Sequence, residues 1–201
     1  MASILENAAV REAALPITVE QCHRLGKAGI IPQRTQLLRG VIVEKMVKSP
    51  EQSWLVQRLV DWLRANLPAG WHVRQEQPLT FGDSEPEPDI AVVRGAADDY
   101  RAAHPSTAAL VIEVAIWSEA LDREKAHACA AAGVDEFWLV LPQKRAIDVL
   151  SGPSAAGYAG RRLATAGEEI SPHTLPGLRL VLAELFAGIL TESPAAKACG
   201  L

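Results

Sequence analysis

The chain has 201 residues, 49% hydrophobic and 22% charged, which is the composition of a globular protein and not of a disordered one. This length predicts one domain, or one with elaborations, and a core that needs no disulfide staples. The net charge of −4 argues against a protein that coats nucleic acid electrostatically. The sequence contains no run of 18 apolar residues, so it predicts no transmembrane helix. The N-terminus lacks both the basic start and the apolar core of a signal peptide. A cytoplasmic protein without a membrane partner is expected.

Charge is distributed unevenly along the chain. Residues 21–60 carry seven Lys and Arg against Glu44 and Glu51, a local charge of +5. Residues 83–99 carry six Asp and Glu against Arg94, a local charge of −5. The pattern fits either a phosphate-facing surface beside a metal-binding one or two solvated faces.

The first predicted elements are a short helix and a strand. Thr18 and Gln21 form a capping box, which predicts a helix through about Ala28. Residues 36–45 predict a strand, in which Gly40 indicates a bulge or a close approach of another segment.

A second helix is predicted to begin at Ser49-Pro50-Glu51-Gln52, where Ser49 is the cap, Pro50 occupies the first turn and Gln52 completes a capping box. Its apolar stripe is Leu55, Leu59, Trp62 and Leu63, and it ends near residues 68–70. The later predicted elements are strands over 71–80, 90–94 and 108–115, a helix over 118–133, a hairpin of 137–141 and 146–150, weak strands within 158–170 and a helix over 178–190. This order predicts a mixed sheet flanked by helices.

Glu113 is a candidate site residue because it interrupts the apolar strand Leu110-Val111-Ile112-Glu113-Val114-Ala115. A carboxylate in such a strand must be paired, bound to metal or protonated, since desolvation disfavours its charge. A structural ion pair, or a strand end that already reaches water, would satisfy the same requirement.

Asp89 is the second candidate. It ends the series Asp83, Glu85, Glu87 and Asp89, in which every second residue is acidic. In an extended segment all four carboxylates would lie on one side of the chain, and the prolines between them favour an extended segment. Four carboxylates on one side repel each other unless a cation neutralises some of them, although a solvated acidic loop has the same sequence. Asp89 alone of the four abuts an apolar strand, residues 90–93.

Lys125 is the third candidate, two turns into the helix that follows the Glu113 strand. That helix returns over the sheet, so Lys125 could reach the carboxyl end of the strand. An ordinary surface pair with Asp122 three residues earlier is the simpler interpretation of a lone helical lysine.

Several other kinds of site are excluded by spacing. The five histidines show no metal-ligand spacing, and the three cysteines are too far apart for a CxxC knuckle or a disulfide framework. No serine lies in a GxSxG context, and no glycine-rich loop could cradle a phosphate.

Taken in order, several segments closely resemble the Uma-two family of restriction-endonuclease-like proteins, which belongs to the PD-(D/E)XK superfamily. The resemblance spans about residues 16–150, and its most specific segments are Glu-Pro-Glu-Pro-Asp at 85–89 and Glu-Phe-Trp at 136–138. It implies an α/β (α+β) fold, a restriction-endonuclease-like mixed central sheet flanked by helices with an αβββαβ core. A single domain over residues 16–190 is expected, with an N-terminal extension over 1–15 and a tail over 191–201.

The resemblance also implies a metal-dependent nuclease site acting on DNA. Asp89 is the proline-aspartate acid, Glu113 is the acid of the third motif, and Lys125 is the motif lysine displaced onto the next helix, since Ala115 stands in its usual place. Mg²⁺, or Mn²⁺, would be held by Asp89, Glu113 and the backbone carbonyl of Val114, because such ions prefer oxygen ligands.

Four positions depart from the family pattern. Gln36 stands where a glutamate is usual, and Gln52 where a histidine is common. Trp117 replaces a small polar residue, and Cys129 replaces a tyrosine on the helix. Because an amide supplies no charge, Gln36 is expected to weaken metal binding.

Three functions therefore remain open at this stage. The first is a Mg²⁺-dependent endonuclease that cleaves DNA phosphodiesters. The second is a catalytically weakened or inactive relative that binds nucleic acid or a protein. The third is a hydrolase that uses Asp89 and Glu113 as an acid/base pair without metal, as glycosidases do. A homodimer is also left open.

Overall fold

The computed structural model describes residue 9 and residues 13–189. Its helices are α1 (Val19–Lys27), α2 (Pro50–Asn66), α3 (Glu119–Ala131) and α4 (Leu182–Leu185). Its strands are β1 (Thr35–Leu38), β2 (Val41–Glu44), β3 (Trp71–Gln75), β4 (Ile90–Arg94), β5 (Leu110–Val114), β6 (Glu136–Leu141), β7 (Ala146–Ser154), β8 (Gly157–Thr165), β9 (Glu169–Ile170) and β10 (Leu180–Val181). Two short 3₁₀ helices, Ala97–Tyr100 and Pro142–Lys144, connect strands.

Six strands form the central sheet in the order β3-β4-β5-β6-β7-β8. Neighbouring strands are antiparallel except for β5 and β6, which are parallel and joined through α3. The succession α2-β3-β4-β5-α3-β6 is the predicted αβββαβ order, so the predicted mixed sheet flanked by helices is confirmed. Two small antiparallel pairs, β1 with β2 and β9 with β10, lie outside this sheet.

Apolar layers cover both faces of the sheet. On one face α2 and the C-terminal segment around Phe186 pack against strand residues such as Ile112 and Trp138. On the other face α3 packs against the alternate strand residues, including Val111 and Phe137. Burial on both faces explains why β5 and β6 read as continuous apolar runs instead of alternating ones. A polar residue on either strand is therefore desolvated.

Residues 36–45 form a hairpin and not the single predicted strand. Arg39 and Gly40 both have positive φ, 48° and 75°, which is the geometry of a tight two-residue hairpin turn. A β-carbon on Gly40 would lie 2.3 Å from the Pro16 Cβ, so the predicted close approach is present and the alternative, a bulge, is wrong.

Two other predicted elements are shorter than expected. The strand predicted over 71–80 ends at Gln75, since Glu76 takes a positive φ of 51° and turns the chain. The helix predicted over 178–190 consists of β10 followed by α4 within the described residues. Most of the predicted extension over 1–15 and all of the tail over 191–201 lie outside those residues. Within residues 13–189 no helix combines the length and apolarity needed to cross a bilayer.

Candidate active site

Two neighbouring strands bring Asp89 and Glu113 together. Ile90 of β4 pairs with Ile112 of β5, so Asp89, just before β4, lies opposite Glu113. Because alternate residues share a face, both side chains lie on the α3 side of the sheet. The Val114 N–H donates to Asp89 Oδ2 at 2.8 Å, and the Asp89 N–H donates to Glu113 Oε2 at 3.4 Å. The two predicted acids are thus adjacent, with exposed fractions of only 4% and 2%.

Lys125 reaches the same point from α3. Its Nζ lies 2.9 Å from Glu113 Oε1 and 3.2 Å from Asp122 Oδ1. The interpretation as an ordinary surface pair with Asp122 is wrong, because both residues are buried and Lys125 also contacts Glu113. Asp122, which the sequence had not indicated as a site residue, accepts a further hydrogen bond from the Ser118 hydroxyl at 2.5 Å. α3 therefore contributes a carboxylate as well as an ammonium group.

The pKa values of this cluster are shifted by burial and by the neighbouring charges. Burial raises the pKa of Glu113 well above its ordinary value, although Lys125 opposes that shift. The pKa of Asp122 is raised for the same reason. Burial alone would lower the pKa of Lys125, but Glu113 and Asp122 raise it above its usual range. Lys125 contacts both carboxyl groups, so its positive charge and their negative charges stabilise each other in the buried cluster.

Lys48 is a second lysine of the site, and sequence reasoning missed it. It lies between β2 and α2, and its Nζ is 2.6 Å from Asp89 Oδ1 and 2.7 Å from Glu76 Oε1. Burial would lower the pKa of Lys48, but Asp89 and Glu76 raise it. The only pattern that could have indicated Lys48 is the basic excess of residues 21–60, which faces the acidic excess of 83–99.

The acidic series ending at Asp89 does not share one cation. Glu85 pairs with His23 at 2.5 Å, Glu87 pairs with Lys45, and Asp89 pairs with Lys48. Side chains of the basic segment therefore contact three of these four carboxylates.

Two glutamines line the polar cleft that contains these groups. The cleft includes Gln36, Lys48, Gln52, Asp89, Glu113 and Lys125. Gln36 is buried on β1, and its Oε1 accepts a hydrogen bond from the Glu87 N–H at 3.3 Å. The Ser49 Oγ caps α2 by accepting from the Gln52 N–H, but the Gln52 side chain donates to Asp89 Oδ2 at 3.5 Å. Gln52 therefore faces the site, where a capping-box role was expected.

The remaining departures from the family pattern differ in their placement. Ala115 is buried two residues after Glu113, on the same face of β5. Cys129 is buried one turn beyond Lys125. Its burial, and to a smaller extent the nearby charge of Glu113, raise the pKa of its thiol. Trp117 is 73% exposed and is not among the residues that line the cleft.

The donors fit a hard divalent cation in part. Asp89 and Glu113 supply carboxylate oxygens at one point, and the Val114 carbonyl points to the same side of β5 as its N–H, which donates to Asp89. Within the described residues, no group of three or more His, Cys, Asp and Glu side chains is arranged to hold a metal. The protein supplies two carboxylates and a backbone carbonyl, and water would have to complete the shell, as is usual for Mg²⁺.

Comparison with known proteins agrees with this architecture. The family model described as "Uma2: Putative restriction endonuclease" matches residues 21–183. A crystal structure from Anabaena variabilis ATCC 29413, described as "a putative nuclease belonging to DUF820", is similar with a TM-score of 0.70 and 18% identity, covering 85% of this chain and 98% of that one. At this identity the likeness shows the fold alone. No curated protein matches the chain. Since the family model spans most of its length, the protein belongs to the Uma2 (Uma-two) family, as its sequence motifs predict.

Proposed function

We propose that this protein is a divalent-metal-dependent endonuclease that hydrolyses DNA phosphodiester bonds. The observation that carries the proposal is the meeting of Asp89, Glu113 and Lys125 in one polar cleft at adjacent strand ends. Membership of the Uma2 family and the nuclease-like fold support the same reaction class.

Each residue has a distinct role in this proposal. Asp89, Glu113 and the Val114 carbonyl would hold Mg²⁺ or Mn²⁺. When bound, the metal supplies Lewis acidity that activates water and offsets charge on the scissile phosphate. Lys125 remains protonated beside Glu113, so it would orient the attacking water and stabilise negative charge that develops on the phosphate. Asp89, Glu113 and Lys125 are all buried, so bulk water screens these interactions only weakly.

Plasmid nicking with Mg²⁺, with Mn²⁺ and with a chelator tests the proposal. Asp89→Ala should lower the nicking rate at least about 100-fold, because loss of a residue that only supports a metal ligand already lowers metal affinity or activity about 10- to 100-fold. The matched control is Glu87→Gln, which removes a cleft carboxylate that pairs with Lys45 and not with the proposed ligands. It should retain activity within a few-fold. Equal nicking by wild type and Asp89→Ala would refute the assignment, and hydrolysis that survives chelation would favour the metal-free acid/base hydrolase.

A second candidate function is a nucleic-acid or protein binding module with little or no activity. The specific observation in its favour is Gln36, a neutral amide in the cleft where the family usually has a carboxylate. Retention of a labelled DNA duplex in a gel-shift assay, without cleavage in either metal, would favour this function. Rapid metal-dependent nicking would exclude it.

A further inference from the structure

The Lys48 ammonium bridges two carboxylates at the edge of the proposed metal site. It lies 2.6 Å from Asp89 Oδ1 and 2.7 Å from Glu76 Oε1. The other oxygen of Asp89 accepts the Val114 N–H at 2.8 Å. Both oxygens of this carboxylate are therefore engaged, and one of its partners is a full positive charge.

This contact differs from an ordinary surface ion pair. The Asp89 side chain is only 5% exposed, so it is almost fully desolvated and its attraction to Lys48 is weakly screened. Lys45, a few residues earlier, pairs with Glu87, which is about one-quarter exposed. The same cleft thus holds Lys48 on the proposed ligand Asp89 and Lys45 on the neighbouring carboxylate of Glu87.

The backbone holds Glu76 beside Asp89. Glu76 has a positive φ of 51°, which non-glycine residues rarely adopt and which persists where the surroundings enforce it. Its N–H donates to the Asp89 carbonyl oxygen at 3.1 Å. Glu76 can therefore retain Lys48 at the cleft even when Asp89 is engaged elsewhere.

We propose that Lys48 is a positioning residue that competes with a divalent metal for Asp89. In the metal-free protein its ammonium neutralises Asp89. Metal binding displaces it from Asp89, and Glu76 then keeps it at the mouth of the cleft, where it faces the phosphate of a nucleic acid. The inference rests on the proposed function for the identity of the metal site, and it adds a residue that sets how tightly that site binds metal.

Calorimetric titration with Mn²⁺ tests the competition directly. Lys48→Gln should tighten Mn²⁺ binding about tenfold, because a positive charge at hydrogen-bond distance from the ligand is removed. Lys45→Gln is the matched control, since it removes an ammonium from the same cleft without freeing Asp89. It should change the affinity by no more than about twofold. Equal affinities in wild type and Lys48→Gln, or equal gains in both variants, would overturn the proposal.

A measurement on the unmodified sequence guards against misfolding of the variant. Mg²⁺ titration followed by lysine side-chain NMR should shift the Lys48 resonance in step with metal binding and leave Lys45 unchanged. A Lys48 resonance that does not shift as metal is added would contradict the displacement of Lys48 from Asp89.

The nicking rate at saturating Mn²⁺ tests the second half of the proposal. Lys48→Gln should nick DNA at least about fivefold more slowly than wild type although it binds metal more tightly, because a phosphate contact is lost. An unchanged rate would overturn the phosphate contact.

Failure of this inference can be told apart from failure of the proposed function. If wild type binds Mn²⁺ but no protein nicks DNA, the nuclease proposal fails, while the ratio of affinities still decides the role of Lys48 at Asp89. If wild type nicks DNA and the affinities are equal, only the inference on Lys48 fails. If neither wild type nor Lys48→Gln binds Mn²⁺, both are overturned.

Discussion

Five ionisable residues determine the charge of the cleft floor. Asp89, Glu113 and Asp122 are carboxyls, and Lys48 and Lys125 are ammonium groups bonded to them. With every carboxyl ionised the cluster carries one excess negative charge, and burial raises the pKa values of Glu113 and Asp122. A divalent cation bound at Asp89 and Glu113, as proposed, would have to compete with these internal cations, so its affinity should be sensitive to single charges.

Gln36→Glu should tighten divalent-metal binding and raise any nicking activity. A third carboxylate adds a charged oxygen to the cleft, worth roughly 4 kcal/mol at 4 Å and an effective dielectric of 20 before desolvation. If about 1–2 kcal/mol survives, the affinity rises about five- to thirty-fold. Calorimetric titration measures the Mg²⁺ affinity of the variant. Gln57→Glu, on the exposed face of α2, is the control for added charge. An affinity that matches this control would show that position 36 does not contribute to metal binding.

Cys129 should resist alkylation in the native protein at pH 8, whereas Cys22 reacts. Burial raises the pKa of the Cys129 thiol, so it stays protonated and non-nucleophilic as the pH rises through 8. The pKa of Cys22 is also raised, but this residue is only partly buried. Iodoacetamide labelling followed by peptide mass spectrometry compares the two. In denaturant they should react at similar rates, and equal rates in the native protein would contradict the burial of Cys129.

The β1–β2 hairpin is the element that places Gln36 in the cleft. Main-chain bonds join it to the acidic segment, from the Glu85 N–H to the Leu37 carbonyl and from the Gly40 N–H to the Asp83 carbonyl, both at 2.8 Å. The Ile17 N–H also donates to the Gly40 carbonyl oxygen at 3.1 Å. The turn of the hairpin is therefore fixed between two other segments.

Gly40→Ala should destabilise the protein more than a glycine substitution in open space does. Its φ is +75°, and the new β-carbon would lie 2.9 Å from the Pro16 Cα, which is backbone and cannot move aside freely. Strain and overpacking together should cost about 2–4 kcal/mol. Gly29→Ala has a similar φ of +68° with nothing within 4 Å, so it isolates the strain, about 1–2 kcal/mol. Urea denaturation measures the free energy of unfolding of both variants. Equal losses of stability in Gly40→Ala and Gly29→Ala would show that the contact with Pro16 is unimportant.

At the scale of the whole molecule, two ion pairs and one histidine–carboxylate contact join distant segments. The basic segment, residues 21–60, is joined to the acidic segment, residues 83–99, by the pairs His23–Glu85, Lys45–Glu87 and Lys48–Asp89. A metal that binds Asp89 and Glu113 would bridge the ends of two central strands, so binding should stabilise the whole domain.

Mg²⁺ should raise the melting temperature of wild type and leave that of Asp89→Asn unchanged. At ten times the dissociation constant, mass action contributes about 1.4 kcal/mol, or roughly 3–6 °C for a domain of this size. Differential scanning calorimetry at constant ionic strength measures the shift. The same shift in both proteins would place the bound metal elsewhere.

Local sequence patterns determined the elements that stand on their own. Ser49 and Pro50 predicted the start of α2, and short apolar runs placed Asp89 and Glu113 at strands, because caps and apolar runs depend only on neighbouring residues. The same patterns marked these acids as costly to bury. The motif order then indicated the Uma2 family, and with it the αβββαβ core and the displacement of the lysine to position 125.

Only the tertiary structure decided which charges meet. Lys48, Glu76 and Asp122 carry no local pattern that distinguishes them from surface residues, yet all three line the cleft. Gly40 was equally ambiguous, since a glycine in a strand pattern indicates either a bulge or the close approach of another segment, and the hairpin turn was not predicted. Ion pairs and close approaches between distant segments depend on how the strands and helices pack, and that packing places two lysines on the acids proposed to bind metal.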